Sequence, residues 1–299
     1  MSVAKPRSET PKAPGAARKP SARSGRVAAA RRAAQAASVP TAAVLIVAHN
    51  QARRIAATVR ASRAIPGVDL VLVVDDGSAD NTQHLARKAG AVVVRHSHRR
   101  GRSVSIETGS AVVSMRDEEG KPPRAVLLME PGLGNAAIGA APLVEAVLES
   151  VADMAIGLTD GGNRATGATA GSARKAIAAL SGWNPIQPLS RVRCLTREAL
   201  EAALPLSHGA GLETGMTLDV IYAGLTVTEV ESEMRHRVYK KTATRPLARV
   251  SQYRDVMMAI SSRRIRLSLL STQHAVEDTF HIASRSSQST DPTAPESVQ

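Results

Sequence analysis

Five short apolar runs, spaced by stretches of helical periodicity, limit what this chain can fold into. AVLIVA (43–48), LVLVVDD (70–76), AVVVRH (91–96), AVLLME (125–130) and ADMAIGL (152–158) are each nearly continuous in apolar residues, as expected of strands covered on both faces. Between them, Ile55, Ala56 and Val59 recur at turn spacing, 79–89 and 102–118 read as helices, and APLVEAVLES (141–150) as another. Asp80 stands where an acid favours the first turn of its helix. Strands alternating with helices predict an α/β protein with a Rossmann-like, mostly parallel sheet flanked by helices. Such sheets bind ligands beyond the carboxyl ends of their strands, so the chemistry is expected just after Ala48, Val74 and Met129.

Polar residues do gather at those three ends: AHNQA after the first strand, DDGSADNT after the second, EPGLGN after the fourth. Taken singly, each has a plain structural use, because Asp and Asn cap helices and DGS is common turn chemistry. Three in order along one sheet edge favour a nucleotide site.

Composition narrows the alternatives. Aromatics make up 2% of the 299 residues, so the core must be built from Ala, Val, Leu and Ile, and base stacking on aromatic platforms is disfavoured. The single cysteine, Cys194, excludes an internal disulfide and a cysteine-based zinc site, and reads as a small buried side chain. No apolar run reaches the roughly 18 residues that span a bilayer, and the first residues lack a secretory h-region. A soluble cytoplasmic protein is expected. The formal net charge of +13 is concentrated before Thr41, where nine basic residues stand against Glu9 alone. Residues 1–40 are therefore read as a disordered basic tail, capable of weak contact with an anionic surface but of no specific nucleic-acid recognition. The expected ordered domain is 41–260, followed by a C-terminal helix and a frayed polar tail over 261–299; a homo-oligomer is left open.

VLIVAHNQARRIAATV, LVLVVDDGSADNT, HRRGRSVSIETG and AVLLMEPGLGN, then QPLSRVRCLTREAL, GAGLETGMTLDVIYAGLTVTEVE and MRHR, follow one another in an order that resembles the family 2 glycosyltransferases of GT-A fold. The likeness runs over roughly 43–257 and is strongest to the bacterial branch holding the glucosyl-3-phosphoglycerate and dolichyl-phosphate-sugar synthases. It implies a sugar transferase using a nucleotide donor, with UDP favoured, and an acceptor that is unidentified. By position, Ala48, His49, Asn50 and Gln51 match the loop that grips base and ribose. Asp76 matches the acid that accepts from the uracil imide, and Arg102 the cation near base and diphosphate. Gln51 and Ala52 stand where the family has acids.

In that family the fourth strand ends in Asp-x-Asp, which holds Mg²⁺ or Mn²⁺ against the diphosphate. Here the positions are Glu130, Pro131 and Gly132. One acid remains, kept extended by the following proline, and the second is lost. The resemblance assigns the other metal ligand to His236. On the acceptor side, DGGNRATG (160–167) resembles a phosphate-binding loop, with Arg164 and Thr166 as its pair. SRVRCLT places Arg193 beside them and puts Arg191 where the family has glycine. Glu213 matches the carboxylate near the transferred sugar, as a ligand of its hydroxyls or as a base. The lost acids leave a second reading open, a GT-A-fold protein that binds nucleotide or sugar without transfer.

Overall fold

The computed structural model describes residues 39–159, 165–234 and 250–265. The expected basic tail, the Arg164 loop residue and His236 thus lie outside the described residues, as does most of 261–299. Seven strands form one sheet in the order β3-β2-β1-β4-β6-β5-β7. They are β1 (Ala42–Ala48), β2 (Val68–Asp75), β3 (Val92–Arg95), β4 (Ala125–Met129), β5 (Met154–Leu158), β6 (Arg193–Leu195) and β7 (Val227–Glu231). The helices are α1 (Ile55–Arg63), α2 (Thr82–Lys88), α3 (Arg102–Ser114), α4 (Ala141–Leu148), α5 (Ala168–Ser181), α6 (Arg197–Ala202), α7 (Leu212–Tyr222) and α8 (250–265). A 3₁₀ segment, Gly134–Ala140, leads into α4.

The five anticipated strands are present within two residues of their expected limits, and β1, β2, β3 and β4 are mutually parallel where they pair. Two more were not anticipated. β6 runs antiparallel between β4 and β5, and β7 adds parallel to β5 at the edge. At three residues β6 is too short to show any periodicity, and β7 (VTEVE) carries an edge strand's mixed polarity.

Alternation along each strand divides the core between the two faces of the sheet. Val44, Ile46, Val73, Leu127 and Met129 pack with Leu143 and Val144 of α4 on one face. Leu45, Leu72, Val74, Leu128 and Ile156 pack with Ile106, Val113 and Met216 on the other. Small side chains allow close approach: a Cβ at Gly109 of α3 would lie 2.3 Å from Leu45 Cδ1. α8 joins through Val256 and Ile260 against Ile177 and Leu218. Arg263 of α8 anchors it further, bonding Asp219 of α7 through Nε at 3.0 Å.

The parallel register aligns Ala48 with Asp75 and Ile46 with Met129. The ends of β1, β2 and β4 therefore share one edge of the sheet. β1 and β4 are neighbours there, and both following chains pack on the same face of the sheet, through Ile55 and Val59 of α1 and Leu143 of α4.

Candidate active site

The first two loops of this edge are stitched together. Asn50, at φ 52, holds a left-handed conformation that asparagine tolerates. Its N–H donates to Ser78 Oγ at 2.9 Å, and its Oδ1 accepts from Ala79 N–H at 2.8 Å. Gln51 N–H donates to Thr82 Oγ1 at 2.7 Å, and Ala52 N–H to Asp80 Oδ2 at 3.1 Å. The polar letters of DGSADNT thus fix the first loop. His49 Nδ1 lies 2.8 Å from the Asp76 carbonyl. A carbonyl only accepts, so Nδ1 carries the proton and Nε2 can accept from Asn50 Nδ2 at 3.3 Å.

Asp76 organises the next loop. Its Oδ1 accepts from Arg100 N–H at 2.8 Å and pairs with His96 Nδ1 at 2.9 Å, while Oδ2 accepts from Gly101 N–H at 2.9 Å. Burial works to raise its pKa, but these bonds outweigh it and hold the carboxyl below the usual range. The loop comes so near that a Cβ at Gly77, at φ +70, would stand 2.8 Å from Arg99 N, so only glycine fits. By gripping residues 100 and 101, Asp76 sets the start of α3 and hence Arg102.

Arg102 reaches Glu213, in the first turn of α7, through an Nη1–Oε1 ion pair. Its Nη2 donates to the Arg191 carbonyl at 3.0 Å. Arg191, just before β6, directs Nη1 at Glu130 Oε1 (3.3 Å) and Nε towards Glu213 Oε1 (3.9 Å). Two acids and two arginines therefore form one chain of charge across the site. Partial desolvation of its exposed side chain opposes the charge on Arg191, but Glu130 and Glu213 more than compensate and raise its pKa.

The EPGLGN turn is held from α1: Thr58 Oγ1 donates to the Pro131 carbonyl at 2.8 Å, and Arg54 Nη1 to the Gly132 carbonyl at 2.9 Å.

Two cavities meet at this network. One, of about 340 Å³, is lined by Val47, His49, Gln51, Asp76, Arg99, Arg102, Glu130 and Arg191. The other, of about 650 Å³, is lined by Thr166, the start of α5, Leu189, Arg191, Glu213, Gln252 and Tyr253. Arg191 borders both. Of the residues singled out in the sequence, His49, Gln51, Asp76, Arg102 and Glu130 share the first cavity. Asn50 and Ala48 lie beside it, Asn50 spending its backbone N–H and its Oδ1 on the neighbouring turn. Thr166 and Glu213 line the second.

Arg193 reaches neither. It is fully enclosed, donating to the carbonyls of Pro188 (2.8 Å), Ser190 (2.8 Å) and Glu213 (3.0 Å) and to Thr217 Oγ1 (2.7 Å). Burial pushes its pKa down to about 10, still far above neutrality. Expected on the acceptor side, it instead fixes the backbone that carries Arg191 and Glu213. Cys194 is buried as expected, its thiol pushed up to about 12 by burial. Sequence reasoning overlooked Arg99 and the cation role of Arg191. The basic run RHSHRRGR (95–102) signals the former; nothing local signals the latter.

This sheet order, with acids and arginines at the ends of β1, β2 and β4, defines the class: the chain has the GT-A fold. Residues 43–114 match the family model of glycosyl transferase family 2, and the chain resembles that family. Among solved structures it is similar to glucosyl-3-phosphoglycerate synthase from Mycobacterium tuberculosis. The form in complex with Mg²⁺ and UDP is 25% identical, with TM-score 0.59, over 77% of this chain and 81% of that one. The complex with phosphoglyceric acid gives 27% and 0.59, and that with Mn²⁺, UDP and glucosyl-3-phosphoglycerate 26% and 0.59, each with the same coverages. No curated protein sequence matches the chain. Among the described residues no helix is long and apolar enough to cross a membrane.

A divalent ion at this site asks for several oxygen ligands. Glu130 is the one carboxylate of its turn, and it is already paired with Arg191. Gly132 offers no side-chain donor, and no group of three His, Cys, Asp or Glu side chains could hold a metal among the described residues. The described donor set, from which the expected ligand His236 is missing, offers the ion one carboxylate, and that carboxylate is shared with an arginine.

Proposed function

We propose that the protein transfers a glycosyl group from a UDP-sugar to a hydroxyl of a small phosphorylated acceptor. The single observation that carries this reading is the pair of cavities that meet at Arg191. The smaller, bounded by the β1 and β2 loops and three arginines, suits a uridine diphosphate. The larger suits sugar and acceptor. Uracil would be met at Asp76 and the His49–Gln51 loop, and the diphosphate by Arg99, Arg102 and Arg191. Glu213, held by two guanidiniums, is placed to accept hydrogen bonds from the sugar hydroxyls. Thr166 and the first residues of α5 line the larger cavity, the proposed acceptor side, where Arg164 is the expected phosphate partner. Catalysis then comes from orientation and from fixed positive charge where the leaving diphosphate develops its own. The solved neighbours, with UDP and with phosphoglyceric acid, support both substrate classes.

The test is UDP release from UDP-glucose and other UDP-sugars, with 3-phosphoglycerate among the acceptors and with no acceptor. Acceptor-dependent release is expected. A second reading, nucleotide binding without transfer, is favoured by the closed Arg102–Glu213 pair and the lost acids. Retained UDP-sugar binding with no release for any acceptor would establish it instead.

A further inference from the structure

We propose that the guanidinium of Arg191 takes the electrostatic place of the divalent cation, so that this chain binds a nucleoside diphosphate without metal. This rests on the nucleotide-sugar reading above. Glu130 and Glu213 are balanced by Arg102 and Arg191 within one network, so the site is neutral before any ligand arrives. Two adjacent carboxylates would repel a diphosphate until a cation joined them; one carboxylate already bonded to an arginine does not. A metal at Glu130 would have to displace the guanidinium from Oε1 or stand beside a like charge.

Arg191 is also built to meet phosphate. Its side chain is 60% exposed, and the planar guanidinium has further N–H donors to offer beyond the one facing Glu130. Its backbone, in contrast, is clamped. Arg102 bonds its carbonyl, and Ser190 Oγ donates to the Gly157 carbonyl at 2.7 Å. The Ser190 carbonyl in turn accepts from buried Arg193 at 2.8 Å. A cation fixed in advance needs little reorganisation when charge appears.

The experiment is calorimetric titration of UDP and of uridine into the full chain, in EDTA and in Mn²⁺, with melting curves confirming that each variant is folded. UDP is expected to bind in EDTA, with affinity changed by less than about threefold on adding Mn²⁺. Arg191→Gln should weaken UDP on the order of 10- to 100-fold and leave uridine unchanged. The triple variant Glu130→Asp, Gly132→Asp, Arg191→Gly should gain Mn²⁺-dependent UDP binding. Position 132 has room for it, since an added Cβ meets nothing nearer than Gln51 Oε1 at 3.9 Å. UDP binding in wild type that needs Mn²⁺, or a folded Arg191→Gln variant with unchanged UDP affinity, would overturn the inference and leave the nucleotide reading standing. Failure of UDP to bind under either condition would overturn both.

Discussion

Arg193→Met isolates the part of the site that works at one remove. Methionine keeps the length and apolar stem of the side chain but donates nothing. The carbonyls of Pro188 and Ser190 lose their guanidinium donor, whereas the Glu213 carbonyl still accepts from Thr217 Oγ1 at 2.9 Å. At about 1–3 kcal/mol for each orphaned buried group, two such losses cost about 2–6 kcal/mol. Relief of the buried charge offsets part of this, leaving a net loss of about 2–4 kcal/mol. For a domain of this size that lowers Tm by roughly 4–16 °C. Calorimetric melting, with urea midpoints as a second measure, reads it directly. UDP affinity and transfer should also fall, because the 188–191 backbone and the start of α7 lose their common tie. A variant as stable as wild type with unchanged UDP affinity would refute the view that this buried ion positions the site.

Asp76→Asn should flatten the acid limb of stability. Because the folded pKa of Asp76 is depressed, its contribution is present above the ordinary carboxylate range and is lost as pH falls through the folded value. Urea midpoints at about pH 7 and about pH 3 should therefore differ less in the variant than in wild type. Gly109→Ala should destabilise by about 1–3 kcal/mol through its clash with Leu45, and Leu45→Val should restore part of the loss if space is the cause; equilibrium unfolding of the single and double variants decides it. Thr166→Val should raise the apparent KM for a phosphorylated acceptor by roughly tenfold, the loss of one charged hydrogen bond, with donor KM unchanged in steady-state assays. Equal shifts in both would remove Thr166 from the acceptor side.

The sequence alone determined the frame. Hydrophobic periodicity is local, so the runs that became β1 to β5 could be read without coordinates, and with them the edge where Asp76 and Glu130 stand. The loss of the second acid at Gly132 was legible in the same way. What the chain does about that loss was not. Arg191 is 61 residues from Glu130, and Arg102 is 111 from Glu213. Arg191 meets Glu130 because β6 enters the sheet antiparallel beside β4, a three-residue insertion with no periodic signature, and Arg102 meets Glu213 because α3 and α7 pack on the same face. The same insertion buries Arg193, whose charge in sequence resembles that of a surface ligand. Charge says what a residue can attract; only the fold decides which partner reaches it first.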